Sequence, residues 1–254
     1  MGQVGTLPWA RRTGGRIGAR DRAELTRLAA LTGLVDFPRY LLYRGRKRTW
    51  SPGGSFNEVT GRVARTAALR QLSADAPAYL VNHSRRTYWF SRLIGDASGL
   101  TYDDDLLYVA SLAHDVGLYV GSAPISPGER CFSIRGANWA TDIALAAGWE
   151  TERTDRLAEA ITLNLNGRVP PARGVEAHLM MRGVLLDVTG LYAWCVDQSQ
   201  LQGLFQQIPR LDQRTELPLA FRAEADRQPE CRGHFALRWL GFGVLMRHPP
   251  REWT

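Results

Sequence analysis

Residues 103–118 read DDDLLYVASLAHDVGL, and this stretch decides the fold. Asp103 is a capping residue for a helix that runs through the apolar segment. Leu107, Ala110, Ser111 and His114 recur at helical spacing and form one stripe. Asp115 follows at the end, and Gly117 stops the helix. A histidine and an aspartate therefore stand at the end of a helix that is otherwise apolar.

The pattern repeats in both directions. Upstream, Pro77 opens a helix expected to reach about Ile94. Leu80, His83, Thr87, Phe90 and Ile94 share one stripe on it, so His83 faces the core. Downstream, helices are expected over about 136–147, 151–165 and 175–187, with stops at Gly148 and Gly190. Further helices are expected near 217–227 and 230–246, and earlier ones at 21–34, ending near Gly33, and 58–72. Period-2 apolar alternation is scarce, which argues against a large sheet. The expected fold class is all-α, an irregular helical bundle whose facing helices place ligands in the core.

The 254 residues are enough for one large domain. The division read from the sequence is a basic N-terminal arm with a short helix over 1–56 and a helical domain over 57–254. Residues 1–20 are rich in Gly and Arg and are expected to contribute little to the fold. Residues 44–56, RGRKRTWSPGGSF, read as a loop. The formal net charge is +7. Lys47 is the single lysine among the basic residues, an arginine bias that usually reflects a GC-rich genome. No nucleic-acid motif follows the arm, so nucleic acid is an unlikely partner. There is no long apolar run for a membrane span and no apolar leader at the N-terminus. A cytoplasmic protein acting on a small molecule is expected, with oligomerisation open. Cys131, Cys195 and Cys231 lie far apart and read as reduced thiols.

The helix from 175 carries Asp187 inside the run LLDV. Burying a carboxylate without a partner is costly. Three helices thus offer His83, His114, Asp115 and Asp187 to one core, and a single divalent cation would satisfy all of them.

The order of these residues resembles the H…HD…D signature of HD-superfamily metalloenzymes. The surrounding segments, NHSRRTYWF (82–90), LLYVASLAHDVGL (106–118), FSIRGANWATDIALAAGW (132–149) and EAHLMMRGVLLDVTGL (176–191), resemble the branch that includes cyanamide hydratases. The likeness covers about residues 57–248. It implies an HD-type helical domain with one metal held by His83, His114, Asp115 and Asp187. Zinc is the usual assignment, and Fe, Mn and Ni are not excluded. It implies a metal-dependent hydrolase or hydratase that adds water to a small nitrile-like substrate such as cyanamide. Asp115 would act in catalysis as well as binding. At position 164, where many relatives carry His, this chain has Asn164, expected as a polar pocket residue. His178 lies about 180° around its helix from Asp187, so a second metal on that face is not expected.

The alternative is a phosphohydrolase acting on a nucleotide or phosphate monoester, for which Arg85, Arg86 and Arg135 are the candidate phosphate contacts. Arg86 lies 60° from His83 on the helix and is expected to reach the site, whereas Arg85 lies 160° away. A third reading is a binding protein without catalysis. Asn82, Asn138, Trp89 and Trp139 are candidate pocket residues.

Overall fold

A computed structural model of the chain describes residues 3–44, 56–57, 62–119 and 131–247. Twelve α-helices run through the described residues: α1 (Leu7–Thr13), α2 (Ala19–Arg44), α3 (Val63–Asp75), α4 (Ala78–Ala97), α5 (Asp104–Ala113), α6 (Phe132–Ala146), α7 (Thr151–Leu163), α8 (Val175–Thr189), α9 (Gln198–Gln207), α10 (Gln213–Arg227), α11 (Arg232–Trp239) and α12 (Phe242–Arg247). No strand occurs among them, and Arg16 and Cys231 form an isolated β-bridge. The fold class is all-α, as the helical periodicity predicts.

The segment around 103–118 forms the centre. The Asp103 side chain accepts a hydrogen bond from the Leu106 backbone N–H at 3.1 Å, the cap that starts α5. Every residue from Leu106 to Ala113 is buried, so α5 is enclosed on all sides, as a helix apolar all round must be. Helices α3, α4, α6, α7 and α8 pack around it. Beyond Ala113 the chain tightens into a 3-10 turn over Val116–Leu118. Gly117 is required there: a Cβ at this position would lie 2.0 Å from the Phe132 carbonyl oxygen.

Helices α4 and α8 form the closest pair. A Cβ on Gly183 of α8 would sit 2.2 Å from Ser91 Oγ and 2.5 Å from the Thr87 carbonyl oxygen of α4. This close approach brings His83 on α4 opposite Asp187 on α8. At the end of α8, Gly190 takes a left-handed conformation, φ 82°, and its N–H bonds the Leu186 carbonyl.

Two expectations from the sequence need correction. The N-terminal residues are part of the packed body. Trp9 is 1% exposed, its Nε1 donates to Asp21 Oδ1 at 3.1 Å, and the Arg232 guanidinium lies over its ring. Val4, Trp9, Ala10, Ile17 and Leu25 form a small second core against Ile134, Phe235 and Leu240. Helix α2 is also longer than expected, because it continues through Gly33 and Pro38 to Arg44. Proline inside a helix removes one backbone donor. The extension is held by Asp36, which accepts hydrogen bonds from Arg168 NH1 at 2.5 Å and Tyr192 Oη at 3.1 Å. The loop expected over 44–56 lies almost wholly outside the described residues; the domain boundary drawn after residue 56 falls beside Phe56, which is buried. Helix α9 has no counterpart in the sequence reading.

Candidate metal centre

His83 sits in the second turn of α4, His114 is the C-cap of α5, and Asp115 is the next residue. His83 and His114 are 0% exposed and Asp115 is 2% exposed. Their ligand-type atoms converge. His83 Nε2 lies 3.1 Å from His114 Nε2 and 3.4 Å from Asp115 Oδ2. His114 Nε2 lies 3.3 Å from the same oxygen.

The outer face of each ring fixes what its inner face offers. His114 Nδ1 lies 2.8 Å from the Ser111 carbonyl oxygen. A carbonyl only accepts, so the proton is on Nδ1 and Nε2 presents a lone pair. His83 Nδ1 lies 2.6 Å from Asp187 Oδ2. An ionised carboxylate also only accepts, so Nδ1 carries a proton, and in the neutral ring Nε2 turns a lone pair inward. With both rings neutral, two imidazole lone pairs and one carboxylate meet at one point. Ligands at about 2.0–2.1 Å from a tetrahedral ion lie roughly 3.3 Å from one another. The three observed separations match that edge length. The same three residues are the group of His, Cys, Asp or Glu side chains close enough together, among the described residues, to hold an ion.

Asp187 occupies another place. All four expected residues come together, but the Asp187 carboxylate lies on the outer side of His83. Arg86 Nε donates to its Oδ1 at 2.7 Å and Arg86 NH2 to its Oδ2 at 3.0 Å. Gln213 Nε2 donates to Oδ2 at 2.8 Å. Arg210 donates to the Asp187 backbone carbonyl and stands 3.8 Å from Oδ1. In this arrangement Asp187 orients His83, a carboxylate–histidine pairing also found around metal sites.

Arg86 is likewise committed. It is fully buried and also donates to the Ile208 and Pro209 carbonyls and to Gln213 Oε1. Its role is to neutralise Asp187. Sequence reasoning missed Arg210 and Gln213. They lie in the polar stretch PRLDQR, where nothing signals that two of its members turn inward.

Charge tunes each member. Burial alone would raise the Asp115 pKa, but His114 and His83 hold it well below the usual carboxylate range. Burial would also raise Asp187, and the charges of Arg86 and Arg210 reverse that. For His83, burial works against protonation, yet the bonds to Asp115 and Asp187 raise its pKa. The cluster attracts positive charge.

Asp115 and Asn164 both line one cavity, and both are buried. Asp115 Oδ1 and Asn164 Oδ1 are both buried without a hydrogen-bond partner. The remaining candidates lie elsewhere. His178 Nδ1 faces the Val169 carbonyl, and burial lowers its pKa. Arg135 binds Glu224 at 2.7 Å and the Gly117 carbonyl. Asn82 donates to the Pro209 carbonyl at 2.9 Å. Trp89 packs edge-on against Phe56, Asn138 is exposed, and Trp139 is partly buried. The thiols of Cys131 and Cys231 meet where α6 and α11 begin, without a disulfide between them.

Fold and site together define a class: an all-α protein with a buried two-histidine, one-carboxylate acceptor cluster. Comparison of the sequence with known protein families and with curated proteins gives no match. The functional reading therefore rests on the site.

Proposed function

We propose that the protein is a metal-dependent hydrolase or hydratase of the HD type, which delivers activated water to a neutral carbon centre. The observation behind this reading is the meeting of His83 Nε2, His114 Nε2 and Asp115 Oδ2 within 3.1–3.4 Å of one another. A divalent ion fits that donor set, and two imidazoles with one carboxylate are among the ligand sets that zinc takes. When bound, such an ion lowers the pKa of water and supplies a nucleophile near neutral pH.

The chain's own residues divide the remaining work. Asp187 keeps the His83 proton on Nδ1 and so keeps Nε2 available. Arg86, Arg210 and Gln213 hold Asp187 in place. Asp115 Oδ1, which is unpartnered and beside the cavity, is placed to accept a proton from water. The Asn164 amide, lining the same cavity, is placed to bond the polar atom of a substrate.

The phosphate reading loses its main support, because Arg86 is consumed by Asp187 and Arg135 by Glu224. The test compares zinc-loaded protein acting on neutral nitriles and amides with the same sample acting on phosphate monoesters. Hydration or hydrolysis of the neutral compounds without phosphate release is expected. Phosphate release alone would reverse the assignment.

A further inference from the structure

The cavity lined by Asp115 and Asn164 has a volume of about 250 Å³. An apolar cavity of roughly 150 Å³ already admits a benzene ring. A molecule of cyanamide's size would leave most of this space empty. The wall is built by α2, α8, α10 and the corner between α11 and α12. Tyr40, Val184, Val188 and Phe221 line it, with Phe37 and Leu245. The last two are each 40% exposed, so apolar surface continues from the interior to the outside.

Polar groups in this wall are few and mostly occupied. Thr32 and Thr189 bond carbonyls within their own helices. Asn166 bonds the Val4 carbonyl and Arg232. Asp115 carries the only charge among the described lining residues, and no Arg or Lys is among them. The unpartnered buried oxygens among the lining residues include those of Asp115 and Asn164. A phosphate or carboxylate entering here would be desolvated beside a carboxylate and apolar walls, with no cation from the wall to offset the cost.

We infer that the substrate is an uncharged molecule with a sizeable apolar body and one small polar head. The body fills the space between α2, α8 and α12, and the head meets Asp115 and Asn164. The reaction at the head rests on the function proposed above; the shape and polarity of the body do not.

The test is a binding series, read by calorimetry, with straight-chain aliphatic carboxamides from acetamide to octanamide and zinc-supplemented protein. Affinity is expected to rise roughly three- to fourfold per added methylene until the cavity is full, then to level off. Val184→Phe and Val188→Phe, each narrowing the cavity, should move the levelling point to shorter chains. Affinity that does not change with chain length overturns the inference. A length dependence that neither variant alters puts the chains elsewhere and overturns it too. Zinc content is measured on the same sample. Length-dependent binding by protein that holds no zinc supports the cavity assignment and refutes the metal reading.

Discussion

At the residue scale, the arrangement turns on Asp187. Its carboxylate is fully buried between Arg86, Arg210, Gln213 and His83. Breaking one side of a buried ion pair costs about 3–5 kcal/mol, because the surviving charge has no solvent. Asp187→Asn leaves Arg86 and Arg210 facing a neutral amide and should destabilise the fold by about that much in denaturant unfolding. It should also weaken metal binding by about 10- to 100-fold, the usual cost of losing a residue that orients a ligand. The pH dependence follows from the depressed Asp187 pKa. A depressed carboxylate stabilises the fold fully above its unfolded value, near 3.9, and this contribution fades as pH falls through the folded value. Below about pH 4 the wild type should therefore lose stability more steeply than Asp187→Asn. Equal acid profiles would show that Asp187 is not the carboxylate that matters. His83 and His114 were legible in the sequence because helical spacing puts them inward, and Asp115 because it follows His114 at the end of the same apolar helix. The role of Asp187 was not, because which face of an imidazole a carboxylate meets depends on side-chain rotamers. Arg86 was correctly read as near His83, but its partner lies on a different helix.

At the element scale, the sequence served well where caps and stops mark a helix and failed where context overrides composition. α5 and α8 could be placed from their caps and stops: Asp103 accepts the Leu106 N–H, and Gly190 closes α8. α2 ran past its glycine and proline because Asp36, Tyr192 and Arg168 hold the far half, and those partners are distant in sequence. α1, LPWARRT, lies within residues 1–20, whose richness in Gly and Arg reads as a loose arm. Its attachment instead uses Trp9 as an apolar anchor. Leu7 N–H also donates to Glu159 Oε2 at 3.1 Å, and Arg11 pairs with Asp155 on α7 at 2.5 Å. The exposed Arg11 pair adds little; the burial of Trp9 dominates. Trp9→Ala should cost about 3–5 kcal/mol, seen as a lower denaturant midpoint, whereas Arg11→Ala should change it little. A Trp9→Ala protein as stable as the wild type would return α1 to the status of a loose arm.

At the scale of the whole molecule, the helices do two separate things. The pairing of α4 with α8 around α5 assembles the acceptor cluster, and Gly183 and Gly117 permit the close approaches this needs. α2, α10, α11 and α12 build an apolar chamber against one side of that cluster. No helix among the described residues is long and apolar enough to cross a membrane. The central claim is that three acceptors meet because a cation belongs between them. Its most direct test is metal analysis of purified protein after dialysis against zinc, with His114→Ala and Asp187→Asn in parallel. The account predicts about one ion per chain in the wild type, none in His114→Ala, and weakened but measurable binding in Asp187→Asn. A wild-type protein that retains no divalent ion, or a His114→Ala protein that retains it in full, would contradict the account.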